Sequence, residues 1–304
     1  MLRPILAVLI ALAPTAQPEA RAACPDAGVS LQVLGSGGPI ADDARAASGY
    51  LVRHDGEARV LIDAGGGTFQ RFGAAGASLD TLDVIAITHV HTDHAADLPA
   101  LLKGAYFSDR ADPLPVAGPD GNARFPGIDT FLARLFDAET GAFAYLAGLL
   151  DGSGSLFRLD PVVVDRSARE PVTVLDDPDL TVTAIGVHHG PVSSLAYRIE
   201  LDGKAIVVSG DQNLSTEGFV DFARSADLLV MPFAIPESAG RIARNLHARP
   251  SEIGTAAADA EVEHLVLSHF MARSLRNRSR EIARVKQRYP GRLTEARDLA
   301  CLAP

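Results

Sequence analysis

Val84-Ile85-Ala86-Ile87-Thr88-His89-Val90-His91-Thr92-Asp93-His94 is the stretch whose reading decides the fold. It opens as an uncharged run of β-branched and apolar residues, the pattern of a buried strand. Three histidines and a carboxylate then fall within six positions. His89 and His91, two apart on an extended chain, project to one side. Asp93 and His94 follow where the chain is predicted to enter a helix over residues 95–103. A single histidine on an apolar strand is usually a packing residue, whereas four donor-type residues spaced H-x-H-x-D-H are a far more specific signal. Neutral imidazoles and a carboxylate converging at a strand's C-terminal end suit zinc or a similar divalent ion.

Working outward, the same arrangement recurs. Residues 29–34 alternate as a strand, closed by the turn Gly35-Ser36-Gly37-Gly38-Pro39. That turn lacks the Lys-Ser/Thr or G-x-G-x-x-G frame of a phosphate cradle. Residues 49–53 and 59–62 form a hairpin, and Asp63 ends it before three glycines. Asp63 reads equally as a turn former or as a carboxylate that orients a histidine ligand. Past residue 109 the signals weaken: 128–150 looks helical, and the 109–179 excursion fits a lid or plain packing. Alternation resumes at 180–187, which runs into His188-His189-Gly190-Pro191. Strands at 195–200 and 204–209 lead to Gly210-Asp211, and 227–231 is a further buried strand. Residues 251–260 read as a helix with Ser251 as N-cap. Strand 264–268 delivers His269, and 273–288 is a terminal helix rich in arginine. Strands ending at Thr88, Val187, Ser209 and Ser268 are each followed within two positions by His or Asp. Alternating strands and helices define an α/β protein with helix-covered sheets. No internal repeat is visible.

Composition bounds the rest. The 304 residues are 47% apolar and 22% charged, ordinary for a globular core. A net charge of -10 argues against a general nucleic-acid binder, whose footprint is basic. Arg3, the apolar run 5–13 and Ala20-Arg21-Ala22 make the three-part pattern of an export signal over residues 1–22, with 23–304 as one mature domain. The run is too short to span a bilayer, which takes ~20 residues. The sequence thus predicts a periplasmic or secreted protein. In an oxidising compartment the two cysteines, Cys24 and Cys301, are expected to pair.

From end to end of the mature chain these motifs resemble the metallo-β-lactamase superfamily, and within it the ribonuclease Z and arylsulfatase-like branch. The resemblance rests on Leu34-Gly35-Ser36-Gly37-Gly38-Pro39, Thr88 to His94, His189-Gly190-Pro191 with Ala196-Tyr197-Arg198, Ser209-Gly210-Asp211 and Leu265-Val266-Leu267-Ser268-His269. It implies an αβ/βα four-layer sandwich with two divalent ions, zinc favoured, at one edge of two sheets. One ion would take His89, His91 and His189; the other Asp93, His94 and His269; Asp211 would bridge. His188 competes with His189, whose distance to Tyr197-Arg198 fits the family better. Asp93 would also orient the nucleophile. His247, in His247-Ala248-Arg249-Pro250-Ser251, stands where the branch places a histidine near the leaving group, as general acid or as loop support. His54 and His264 match nothing. One departure is clear: Met231-Pro232 stands where ribonuclease Z carries a His-Glu pair. The expected activity is hydrolysis of phosphodiester or related esters, with a β-lactamase, a lactonase or a non-catalytic binder as alternatives. The expected partner is a small anionic ester; a homodimer is left open.

Overall fold

The computed structural model describes residues 24–304. The export signal read over 1–22 lies outside the described residues. Strands β1 (Val29–Gly35), β2 (Gly49–His54), β3 (Glu57–Ile62), β4 (Val84–Ala86), β5 (Leu114–Pro119) and β6 (Leu159–Val164) join one sheet. Strands β7 (Val172–Asp176), β8 (Leu180–His189), β9 (Val192–Leu201), β10 (Lys204–Val208), β11 (Leu228–Pro232), β12 (His264–Ser268) and β13 (Arg292–Glu295) make the other. The last strand, β14 (Cys301–Leu302), returns to pair with β1. The sheet orders are β14-β1-β2-β3-β4-β5-β6 and β13-β12-β11-β10-β9-β8-β7. Read from β14 in the first sheet and from β7 in the second, three antiparallel pairings are followed by three parallel ones. The architecture therefore repeats although the sequence does not.

Period-two alternation explains the layers. On the first sheet Val52, Val60, Ile62, Val84 and Ala86 face the second sheet's Val182, Ala184, Tyr197 and Ile199. Their neighbours Leu51, Leu61, Ile85 and Ile87 point the other way, under Leu98, Leu101, Ile128 and Leu132 of the covering helices. Helices Pro250–Asp259 and Arg278–Lys286 cover the second sheet through Ile253, Ala257, Ile282 and Val285. This is the expected four-layer αβ/βα sandwich. No helix among the described residues is long and apolar enough to cross a membrane. Cys24 and Cys301 are disulfide-bonded, as read from the sequence, and pin the N-terminal segment to β14.

Several boundaries differ from expectation, each for a local reason. β4 ends at Ala86 rather than Thr88, because the Thr88 amide is taken by the Asp63 carboxylate (2.8 Å) instead of a neighbouring strand. The helix placed at 95–103 begins earlier and is broken, Thr92–Ala95 then Leu98–Leu102, with Pro99 in the opening turn of the second piece. The helix read over 128–150 stops at Phe136, where Asp137 Oδ1 accepts from the amides of Glu139 and Thr140. Ser251 is not an N-cap: its amide and hydroxyl both donate to Glu237, and the helix starts at Pro250 after Arg249. The terminal arginine-rich helix splits into Ala272–Leu275 and Arg278–Lys286. Strands β5, β6 and β7 occupy the stretch that gave the weakest signal.

Candidate metal centre

The chain 87–88 leaves the first sheet and is clasped by the second. The Leu195 amide donates to Thr88 O (2.9 Å) and the buried Tyr197 hydroxyl to Ile87 O (3.0 Å). The segment carrying His89, His91, Asp93 and His94 is thereby presented at the edge where both sheets end. β8 extends to His189, so His188 and His189 point to opposite faces. His189 is buried in the cluster, whereas His188 turns outward to Asn245 Oδ1 (3.3 Å). Asp211 follows β10, His269 follows β12 at φ 53°, and His247 follows the helix Arg241–Leu246.

The donor atoms gather in three overlapping groups: His89, His91 and His189; Asp93, His94, Asp211 and His269; His189, Asp211 and His247. Asp211 Oδ2 is common to the set, at 3.3 Å from His269 Nε2, 3.6 Å from both His94 Nε2 and His189 Nε2, and 3.9 Å from His247 Nε2. His269 Nε2 also lies 3.2 Å from Asp93 Oδ2.

Hydrogen bonds behind the cluster decide which ring nitrogen faces in. The Thr88 hydroxyl donates to Asp63 Oδ2 (2.9 Å), so toward His89 it acts as acceptor and takes the Nδ1 proton (3.1 Å). Asp63 Oδ2 also accepts from His94 Nδ1 (2.7 Å), and Leu246 O from His189 Nδ1 (2.8 Å). These assignments are inferred from the network. All three histidines then turn bare Nε2 atoms into the cluster, as ligating imidazoles do. Asp63 is thus an orienting carboxylate, and the turn at φ 58° is how it gets there.

The electrostatics agree for His89 and His189, whereas the carboxylates on both sides of His94 draw it toward its protonated form. Burial, with the neighbouring histidines, pushes His89 well below its usual range, and burial also lowers His91 and His189. Burial pushes His247 down to about 3. Burial raises the Asp211 carboxyl, but the imidazoles of His269, His247 and His94 outweigh it and hold it well below the usual range. Asp93 stands at about 2, where the His269 hydrogen bond and His94 outweigh burial. For His94 and His269 burial is outweighed by the facing carboxylates, which raise both.

The residues fit divalent ions. His94 Nε2 and Asp211 Oδ1 are buried with no hydrogen-bond partner, a costly state for such atoms unless something else binds them. His89 Nε2 and His91 Nδ1 lie 3.0 Å apart, close to the ~3.3 Å edge of a tetrahedron with metal–nitrogen distances of 2.0–2.1 Å.

The sequence did not single out several supporting residues. Gly38 leaves room for a ring: a Cβ there would stand 2.8 Å from His269 Cε1. Asp298 accepts from Ser36 N, Ser36 Oγ and Ala46 N, fixing the first turn. Phe125 stands edge-on to His91, ring centres 5.6 Å apart. Glycine in the first turn hinted at close approach; Asp298 and Phe125 left no local signal. His54 pairs with Asp55 and Asp202, and His264 bonds Thr294 Oγ1 (2.9 Å), both away from the cluster.

Two sheets with helices outside and a histidine-aspartate cluster at one edge define a metallo-β-lactamase sandwich. A family profile described as "Beta-lactamase superfamily domain" matches residues 58–270, and the chain belongs to that family. Ribonuclease Z of Mycobacterium bovis is 29% identical over 255 residues, covering 80% of this chain and 86% of the relative. Ribonuclease Z of Mycobacterium avium is 28% identical over the same length. Among solved structures, human tRNase Z, short form, superposes with a TM-score of 0.68 at 22% identity, covering 90% of this chain and 98% of that one. The metallo-beta-lactamase fold protein YhfI from Bacillus subtilis gives 0.66 at 21% identity, covering 90% and 99%.

Proposed function

We propose that this chain is an exported hydrolase that uses two divalent ions, zinc favoured, to cleave small phosphodiesters or related esters. The observation that carries the reading is Asp211 Oδ2, set within 3.3–3.9 Å of four imidazole nitrogens that span the three overlapping donor groups. His89, His91 and His189 would hold one ion, and Asp93, His94 and His269 the other, with Asp211 between them. When bound, such a pair supplies water activation near neutral pH and charge neutralisation at the ester oxygens. Asp93, anionic and beside His269, is placed to orient the attacking water. His247 Nε2 lies 3.9 Å from Asp211 Oδ2, and because burial keeps this imidazole neutral near neutral pH, its role in this reading is to donate a hydrogen bond from Nε2–H to the departing oxygen.

The donor set has imidazoles and carboxylates but no thiolate, which suits zinc while admitting manganese or iron. The relatives are named for ribonuclease activity. Here the net charge of -10 and the export signal favour a small ester over an RNA chain. The buried Met231 and Pro232 offer no side-chain acceptor, and His247 Nδ1 has no hydrogen-bond partner among the described residues. His247 therefore lacks the supporting carboxylate that the resemblance to ribonuclease Z implies. That favours substrates with good leaving groups, which need less protonation.

The test is turnover by zinc- or manganese-loaded protein of bis(4-nitrophenyl) phosphate against a chromogenic lactam and a lactone. The reading predicts that the diester is cleaved fastest. Efficient opening of the lactam or lactone, with the diester untouched, would replace it by the lactamase or lactonase alternative.

A further inference from the structure

Beside His91 the surface opens into a cleft of about 380 Å3, lined by Asn122, Arg124, Phe125, Thr130 and Arg134 among others, with no carboxylate in its wall. The volume is in the range of small-molecule sites, roughly 300–1,000 Å3. Phe125 is shared ground: its ring lines the cleft and stands edge-on to His91.

The cleft is held open by a rigid loop. Gly121 and Gly127 meet backbone to backbone, so that a Cβ on either would fall within 2.7 Å of the other's amide nitrogen. Asn122 Oδ1 accepts from the amides of Arg124 (2.9 Å) and Phe125 (3.1 Å). Asn122 Nδ2 donates to Pro191 O and Ser193 Oγ, both at 3.1 Å, which docks the loop on the hairpin that carries His189. Arg166 Nη1 donates to Gly121 O (2.7 Å) and pairs with Asp120, taking up the loop's own carboxylate. Asp129 opens the following helix but does not line the cleft.

The two cleft arginines differ from most others in the chain. Arg166, Arg249 and Arg278 pair with Asp120, Glu252 and Glu295. Arg280 and Arg284 both lie against Glu281. The guanidiniums of Arg124 and Arg134 have no acidic or hydrogen-bonding partner among the described residues, yet share one cleft. A chain with 38 acidic against 28 basic residues keeps two uncommitted cations together in one cleft, and Phe125 of that cleft adjoins His91. Of the C-terminal arginines, Arg278, Arg280 and Arg284 are paired with acidic neighbours.

We propose that this cleft is a second binding site, for an ionised phosphoryl group that the substrate carries beside the ester to be cleaved. The proposal rests on the hydrolase reading only for its position relative to the reaction. Two guanidinium forks and the Thr130 hydroxyl match a tetrahedral dianion, since each fork can make two parallel charge-assisted bonds. A single carboxylate would leave one fork idle. Phe125 forms the wall between the two sites and accepts the apolar part of the linker. The negative charge elsewhere disfavours long polyanions, so the substrate class is a short diester with a terminal phosphate.

The experiment uses the metal-loaded chain and two chromogenic diesters, thymidine 5′-(4-nitrophenyl phosphate) with and without a 3′-phosphate. Wild type is expected to prefer the 3′-phosphorylated diester in kcat/KM by at least ~10-fold, and the Arg124→Ala/Arg134→Ala double variant to lose most of that preference. A second arm titrates chelator-treated wild type and double variant with inorganic pyrophosphate by calorimetry, expecting binding at least ~10-fold weaker in the variant. No preference in wild type, or a preference that survives the double substitution, overturns the proposal. Equal pyrophosphate affinity in the two proteins overturns it as well. Pyrophosphate binding lost in the variant, with neither diester cleaved by wild type, keeps the anion site and removes the hydrolase reading.

Discussion

The first sheet and the second contribute to the cluster in opposite ways. From the first come His89, His91, Asp93 and His94, all within six residues and all on one segment clasped by Leu195 and Tyr197. From the second come His189, Asp211, His247 and His269, one from each of four separate connections. A local motif needs only one loop to be correctly placed. A dispersed set needs the whole sheet, and so reports on whether the fold has closed. The atom common to most donors, Asp211 Oδ2, belongs to the dispersed half.

That asymmetry predicts unequal damage. Asp211→Ala should remove both ions and abolish detectable turnover, whereas His91→Ala, deeper in the local motif by sequence, should leave one ion in place. Element analysis of the two purified variants checks this, and equal losses would show that the halves are equivalent. Asp63→Ala comes next. It frees His94 to rotate and strips the Thr88 amide and hydroxyl of their acceptor. Loss of such an orienting carboxylate typically costs roughly 10–100-fold in metal affinity, which a competition titration with a chelator would measure. The buried Thr88 amide adds a stability cost of about 1–3 kcal/mol, visible in urea melts.

His247→Ala should act on rate rather than on metal. Positioned acids contribute roughly 10²–10⁴-fold, and a neutral imidazole that only hydrogen-bonds the leaving oxygen belongs at the bottom of that range. The expected signature is a kcat that falls more for poor leaving groups than for 4-nitrophenolate; an equal fall for both would make His247 a loop support. Smallest of all is His188→Ala, since His188 points away from the cluster toward Asn245. Its metal content should match wild type within error, while His189→Ala should lose an ion.

The same contrast explains what the sequence could show. The H-x-H-x-D-H segment was legible because strand periodicity and ligand spacing coincide in one short window. Asp211 and His269 were legible because each sits directly after a β-branched strand. His189 was preferred over His188 only through the resemblance, and strand periodicity alone could not tell them apart, since a one-residue shift of register exchanges which of them faces inward. Residues 109–179 hid three strands, β5 among them, because Leu114–Pro119 carries two prolines and Leu159–Val164 one, residues that weaken a strand signal. Asp298 acts across 262 residues on Ser36, and no window of sequence contains that contact. The repeated pairing order of the two sheets is a property of backbone hydrogen bonds alone, and different side chains satisfy it in each half.

The most direct measurement is the number of divalent ions per folded chain. Protein purified without chelator, reconstituted with zinc and desalted, would be analysed by plasma mass spectrometry against amino-acid quantification. Two ions per chain, falling toward none in Asp211→Ala, is the predicted result. One ion or none in correctly folded wild type would contradict the account.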